Sequence, residues 1–495
     1  MGTIRIAAFH GGGIRGILNL PSVIELENAV GPLSEHFHFI AGTSTGALQA
    51  TGLSQVNGSP LLSAEQILDI YMNRGGDVFD NSLKTAFKLA FNKILDQTAD
   101  FSKTHSGKIL NLGLHKRIKS AVEESVDLVI PDKKTKVDNL KRNAAKKTIG
   151  KALDYAFTHS ETMFSPTLRD EFEKATDGET LSSSALEIVT DRVMRVGGLF
   201  RPKYNPDQLE KLVTEVTGDH KLSDVDSNLI LTTYDIEKRK ACQFKSWRAR
   251  NEDFAVFDPG LTPEDYDAYL KDILMGSTAA PTYFPPHLIT NMAGESSAHI
   301  DGGMWANNPS AIALASARSI FGDHHNFLVV SFGTGESKHP YMHEESRNWG
   351  KLKWGAHAVE IFRDGQMQAV DRQMKYENNA AYIQFQTDMG QRDGDPRVDD
   401  VLDAASDDNR KALLTRGARM KEDHQHTLDT MKYYMKASPK QDFEELLEES
   451  KEKSKNFRPD KDRVFDYMRK VSAERAAEQG EKMKQKKQLQ PEITP

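Results

Sequence analysis

Residues 36–53 read HFHFIAGTSTGALQATGL. The first seven are apolar, β-branched or aromatic around two histidines, the composition of a buried strand, and they stop at Gly42. The last nine, TGALQATGL, carry a helical pattern. Between them Gly42-Thr43-Ser44-Thr45-Gly46 matches G-x-S-x-G, the pattern of a serine placed on a sharp strand-to-helix turn. The helix after such a turn directs its N-terminal dipole at the serine. Gly42 and Gly46 would be the small residues that let neighbouring backbone pass. The reading that fits is a nucleophile elbow with Ser44 at its tip.

The same alternation continues on both sides. TIRIAAF (3–9), NLILTTYDI (228–236) and NFLVVSFGTG (326–335) each read as a buried strand ending in a turn signal. SVIELENAV follows the first as a helix. Strands alternating with helices imply an open, mostly parallel α/β sheet, with the active-site loops at the strands' C-terminal ends. Immediately after the first strand comes His10-Gly11-Gly12-Gly13-Ile14-Arg15-Gly16. Three successive glycines bare the main chain where adjacent parallel strands would set it beside Ser44. A serine attack creates an oxyanion that needs backbone N–H donors about 3 Å away, and Gly11, Gly12 and Gly13 can offer them. No G-K-[ST] follows and the spacing of G-x-G-x-x-G is absent, so a nucleotide phosphate fits less well.

The serine also needs a base. Asp301, in AHIDGGMWANNPS (298–310), ends a short apolar run and precedes two glycines, which is suited to projection from a loop. On its own D-G-G is a common turn.

Together GGGIRG (11–16), GTSTG (42–46) and DGGMWANNP (301–309), in that order, resemble the patatin-like phospholipase family. RPKYNPDQLEKLV (201–213), NLILTTYDIEKRK (228–240) and MGSTAAPTYFPP (275–286) strengthen the resemblance, which runs through SFGTGES (331–337) to about residue 435. It implies a three-layer α/β/α lipid acyl hydrolase that acts on phospholipids and related acyl esters. By position, Ser44 would be the nucleophile and Asp301 the general base, with neither a catalytic histidine nor a metal or cofactor. The Gly11–Gly13 loop and Gly16 would form the oxyanion hole, with Arg15 holding that loop. The family usually carries Asp where this chain has His10, which alters the hydrogen bonding expected behind the loop.

Two rival readings arise. His10 with the glycines also resembles the HGGG loop of α/β-hydrolase esterases, which would require a Ser–Asp–His triad. His324, His325, His339, His343 and His357 follow the acid and could complete it. Alternatively the fold serves as an interaction module that binds a membrane or a protein activator, with latent lipase activity.

The domain expected from the resemblance covers residues 1–435, with a Lys-rich helical insertion at about 80–200. There NSLKTAFKLAFNKIL aligns Leu83, Phe87, Phe91 and Leu95 on one face, and LKRNAAKKTIGK (140–151) is strongly basic. Core packing suits the first and a solvated face the second, although lipid contact would draw on the same features. Residues 436–495 turn to Glu, Lys, Gln and Asp and read as a charged helical tail ending in disorder.

Among 495 residues, 38% are hydrophobic and 28% charged, with net charge -7, which gives no reason to expect nucleic-acid binding. The single cysteine, Cys242, permits no internal disulfide and reads as structural or incidental. No Sec-type signal and no apolar stretch of about 18 residues is seen, so the expectation is a cytoplasmic protein that meets membranes peripherally, with any export by a non-Sec route. The acidic run RDGDPRVDDVLDAASDD (392–408) departs from the calcium-loop pattern and reads as solvated loop and helix-start acids. Trp305, beside the acid, is placed either in the acyl pocket or in ordinary packing.

Overall fold

Apolar runs with a two-residue period build the centre of the computed structural model, which describes residues 2–79 and 202–454 apart from 254, 256, 257, 324, 338 and 339. The insertion expected at about 80–200, with its amphipathic and basic stretches, falls almost wholly outside the described residues. So do His324, His339 and the chain beyond 454.

One sheet of eight strands organises the rest. In chain order its strands are β1 (Thr3–Phe9), β2 (Phe39–Thr43), then, after a short hairpin of β3 (Gln55–Val56) and β4 (Ser59–Pro60), β5 (Asn228–Asp235), β6 (Lys240–Lys245), β7 (His287–Thr290), β8 (Ser296–Asp301), β9 (Asn326–Phe332) and β10 (Ala380–Phe385). Across the sheet the order is β10-β9-β1-β2-β5-β8-β7, with β6 also paired to β5. The five strands from β10 to β5 are parallel, and β6, β7 and β8 are antiparallel additions. The four strands read from the sequence are all present, β2 starting three residues later than its apolar run.

Helices cover both faces, as buried parallel strands require. On one face α1 (Leu20–Val30), α2 (Thr45–Gly52), α3 (Ala64–Val78), α4 (Asp207–Thr217) and α5 (Leu270–Ser277) pack over Ala7, Phe9, Ile40, Leu229 and Leu231. After the short α6 (Gly303–Ala306), α7 (Ser310–Phe321) and α8 (Lys351–Lys375) cover Ile4, Ile6, Phe39 and Ile230 on the other. Odd and even residues of each strand thus enter different cores, the signature of a strand buried on both sides. At the C-terminal end Phe9, Phe332 and Phe385 occupy matched positions on β1, β9 and β10 and stack at 4.8 and 5.5 Å. This aromatic row floors the glycine loop that follows β1.

Beyond the sheet, α9 (Asp407–Asp423) packs on the turn after the glycine loop. The acidic stretch before it is structural: Asp395 pairs with Arg416 and Arg419, and Asp403 with Lys203 and Tyr204.

Packing does not stop at residue 436. The helix α10 (Phe443–Ser454) lays Leu446 (1% exposed) and Leu447 (5%) into the second core. Its Phe443 meets Phe321 edge-on at 4.9 Å, and Ser450 donates to the Phe321 carbonyl at 2.8 Å. The charged surface of EELLEES hides two adjacent leucines that face inward, so this part of the expected tail belongs to the folded body. Replacing Leu446 with alanine should therefore cost about 2–4 kcal/mol of stability, measured by denaturant unfolding. An appendage would give a change near zero.

Candidate active site

The register of β5 brings the two expected catalytic residues together. β2 runs parallel to β5 and ends with Thr43 opposite Thr232. β8 runs the other way and ends with Asp301 opposite Thr233. Because β6 holds the far edge of β5 from Ile230 to Asp235, β2 and β8 share the near edge and meet end to end. The next residue after Thr43 must then face the last residue of β8. Ser44 Oγ donates to Asp301 Oδ2 at 2.6 Å.

Ser44 sits at φ 55°, ψ -126°, a conformation that costs a non-glycine residue about 1–3 kcal/mol and persists only where surroundings enforce it. Those surroundings are specific. The Ser44 N–H donates to Ser277 Oγ at 3.0 Å, and Ser277 in turn donates to the Thr232 carbonyl at 2.8 Å. Thr43 Oγ1 donates to the Ala306 carbonyl at 2.6 Å and lies 2.7 Å from Thr232 Oγ1. The flanking glycines are needed for contact: a Cβ on Gly42 would lie 2.2 Å from the Gly46 oxygen, and one on Gly46 would lie 2.2 Å from the Phe9 oxygen. Here α2 crosses directly over the end of β1, with no room for a methyl group.

Asp301 is 5% exposed. Its Oδ1 accepts the Gly303 N–H at 2.6 Å, which leaves Oδ2 for the serine. Burial pushes its pKa up to about 6, against the opposing pull of the Ser44 hydroxyl, the Gly303 amide and the positive charge of Arg363. That value suits a proton acceptor at neutral pH.

In the glycine loop the three amides differ. Gly11 donates to the Asn307 carbonyl at 3.0 Å, while its own oxygen accepts from Thr334 Oγ1 at 2.7 Å and Asn307 Nδ2 at 3.3 Å. Its N–H is therefore committed to the fold. The amides of Gly12 and Gly13 have no acceptor among the described residues, and both residues line the same cavity as Ser44 and Asp301. Gly13 takes φ +58°, the left-handed turn that swings the chain to Ile14, whose N–H is held by the Leu402 carbonyl at 2.9 Å. Gly16 lies one turn on, its oxygen accepting from Gln49 Nε2 at 2.9 Å, and does not line the cavity.

Arg15 is fully buried behind the loop and also absent from the cavity wall. Its Nη1 donates to the Asp400 carbonyl at 3.2 Å. Burial, and then the like charge of Arg363, bring its pKa down to about 9, while Asp400, Asp364 and Glu360 act in the opposite direction. His10 points away from the serine: its Nε2 lies 2.6 Å from Ser331 Oγ. Burial lowers its pKa to about 4 despite the pull of Asp371, so the ring is neutral at physiological pH.

No histidine lines the cavity among the described residues. His325 is bound to Ser450 at 2.8 Å, and His357 stacks on Trp349 at 4.6 Å. Trp305 is not in the wall either, since its Nε1 donates to the Thr233 carbonyl at 2.8 Å; the neighbouring Met304 takes that place. Cys242 lies on β6 away from the site.

The cavity measures about 220 Å³. Leu48, Leu62, Val78, Leu212, Leu274 and Phe284, from α2, α3, α4, α5 and their connections, give it an apolar wall. Sequence reading assigned no role to Ser277, Asn307 or Thr334. Each lies inside a stretch that carried the resemblance, but only tertiary structure shows which backbone group each one holds.

The raised pKa of Asp301 has a cost in stability. The folded carboxyl binds its proton more tightly than the unfolded one, at 3.8, so stability falls as pH rises from about 4 to about 6 and stays lower above, by about 3 kcal/mol. Asp301→Asn removes that penalty. The variant should unfold at a higher temperature than the native protein at pH 8, with the gap closing towards pH 4. Calorimetry across that range checks this, and a variant equally destabilised at every pH would contradict it.

With this geometry in place, comparison with known proteins gives a consistent result. Residues 7–314, well over half the chain, match the family model described as patatin-like phospholipase. Patatin-like protein 2 of Arabidopsis thaliana is 24% identical over 424 residues, covering 78% of this chain and 76% of its own. Patatin-like protein 1 of the same plant is 27% identical over 252 residues, covering 44% and 56%. The chain thus spans between about half and three quarters of the length of these relatives. Among solved structures, that of VipD from Legionella pneumophila aligns over 85% of this chain and 67% of its own, at 12% identity and a TM-score of 0.29. The chain belongs to the patatin-like phospholipase family.

Proposed function

We propose that the protein is a phospholipase A-type lipid acyl hydrolase that works through Ser44 and Asp301. The observation that carries this reading is the 2.6 Å contact between a strained serine and a buried carboxylate inside an apolar cavity.

Ser44 Oγ attacks the ester carbonyl carbon as its proton passes to Asp301 Oδ2. The carbonyl electron pair moves onto oxygen, where the Gly12 and Gly13 amides meet the charge. Collapse of this intermediate breaks the ester C–O bond, and the proton on Asp301 leaves with the alcohol. Water then gives its proton to the same carboxylate and attacks the acyl-enzyme; the Oγ–C bond breaks, Asp301 returns the proton to Ser44 Oγ, and the fatty acid leaves. General base action of this kind is worth about 10²–10⁴ in rate, and an oxyanion donor about 10²–10³. The apolar wall holds the acyl chain at about 0.8 kcal/mol per buried methylene.

Such a substrate lies in a membrane, and the proposed enzyme reaches it from the surface. No helix among the described residues is long and apolar enough to cross a bilayer. Phe362, 70% exposed, shares a turn of α8 with Glu360 and Arg363 of the cavity wall and offers an apolar rim. The proposed mechanism calls on no metal, so turnover should persist in a chelator.

Removing either dyad side chain should lower fatty-acid release by about a thousandfold or more, since such groups fail as a unit. A purified Ser44→Ala or Asp301→Asn protein with a normal rate would overturn the assignment. In the native enzyme kcat/KM should climb as pH rises towards about 6 and then level off, because a protonated Asp301 cannot accept the serine proton. A profile still rising steeply past pH 7 would point to another base.

A further inference from the structure

Among the described residues, two charged side chains besides Asp301 line the cavity, and the dyad mechanism uses neither. Glu360 and Arg363 stand three residues apart on α8, on one face of the helix. Glu360 accepts a hydrogen bond from the Tyr341 hydroxyl at 2.7 Å. Arg363 is less well served. Its Nε and Nη2 both reach a single oxygen of Asp364, at 3.4 and 3.2 Å. Its Nη1 is buried with no acceptor among the described residues, and the whole residue is 8% exposed.

A guanidinium keeps its charge at neutral pH, and a buried donor left unmet is costly, more so when charged. Arg15 lies close enough for its charge to act on Arg363, and two of its donors, Nε and Nη2, are also unmet. Asp400, Asp364 and Glu360 counter the charge of this arginine pair, yet donors on both guanidiniums stay without an acceptor among the described residues. Of the two arginines Arg363 lines the cavity and Arg15 does not, so Arg363 is the one that can reach a bound molecule there. The planar fork of arginine matches the oxygens of a phosphate. If the apolar wall holds an acyl chain, the ester lies at Ser44, and a glycerophospholipid carries its phosphate only a few bonds further on.

We propose that Arg363 holds the phosphate of the phospholipid substrate and thereby sets the preference for phospholipids over uncharged acyl esters. The assignment rests on the acyl-hydrolase reading. It separates the buried Arg15, which braces the loop, from the arginine that meets substrate.

The test compares dihexanoylphosphatidylcholine with dihexanoylglycerol, both below their aggregation concentrations so that no surface is present. Native enzyme, Arg363→Gln and Arg363→Lys are assayed on each, with Ser44→Ala as the blank. Working at about pH 8, well above the Asp301 pKa, keeps that carboxylate ionised in every variant. Arg363→Gln should lose about 10- to 100-fold in kcat/KM on the phospholipid, mainly through KM, while staying within about threefold on the neutral ester. Arg363→Lys should recover part of the loss. The neutral ester also reports that each variant is folded. Equal losses on both substrates, or no loss on either, would overturn the role of Arg363 alone. A native enzyme that cleaves neither would overturn the hydrolase reading as well.

Discussion

Two strands pointing at each other along one edge of a third are the constraint on which the rest depends. β5 offers only one free edge past Thr232, and β2 and β8 fill it from opposite ends. A slip of one residue in either strand would turn its side chains to the wrong face of the sheet and part the serine from the carboxylate. The register is secured by burial on both faces, by the Thr43–Thr232 pair and by Ser277, which links the serine backbone to β5. Precision at the site is thus inherited from the sheet.

The same arrangement concentrates unfavourable energy in one place. A serine held in a strained turn, a carboxylate denied water and an arginine with an unmet donor all border one cavity. None would be favoured for stability alone. The double-sided core offsets them, with its phenylalanine row beneath the loop and the C-terminal helix sealing the other face. Sites that bind and react are commonly left strained in this way while the scaffold carries the stability.

Much of this was legible in the residues. Long apolar runs ending in glycine announce β1, β2, β5 and β9 because buried parallel strands need little else. Ser44 is readable because G-x-S-x-G falls between a strand and a helix. Asp301 is different: β8 is SSAHID, short and half polar, as antiparallel strands near a sheet edge tend to be, and only resemblance singled out its last residue. The glycine loop was legible in kind but not in detail. Which amides stay free depends on Asn307, some 300 residues away, which captures the N–H of Gly11. Arg363 lies in a helix of mixed composition where no motif marks it, and only burial and an unmet donor set it apart.

The account stands most directly on whether Ser44 is the nucleophile that Asp301 activates. An alkyl fluorophosphonate with a long chain reports this, since it phosphonylates a serine only when a base draws off its proton. Intact-mass and peptide analysis of the treated protein should find one adduct, on Ser44, absent from Asp301→Asn. Labelling at any other residue, or an unreactive Ser44 in the native protein, would contradict it.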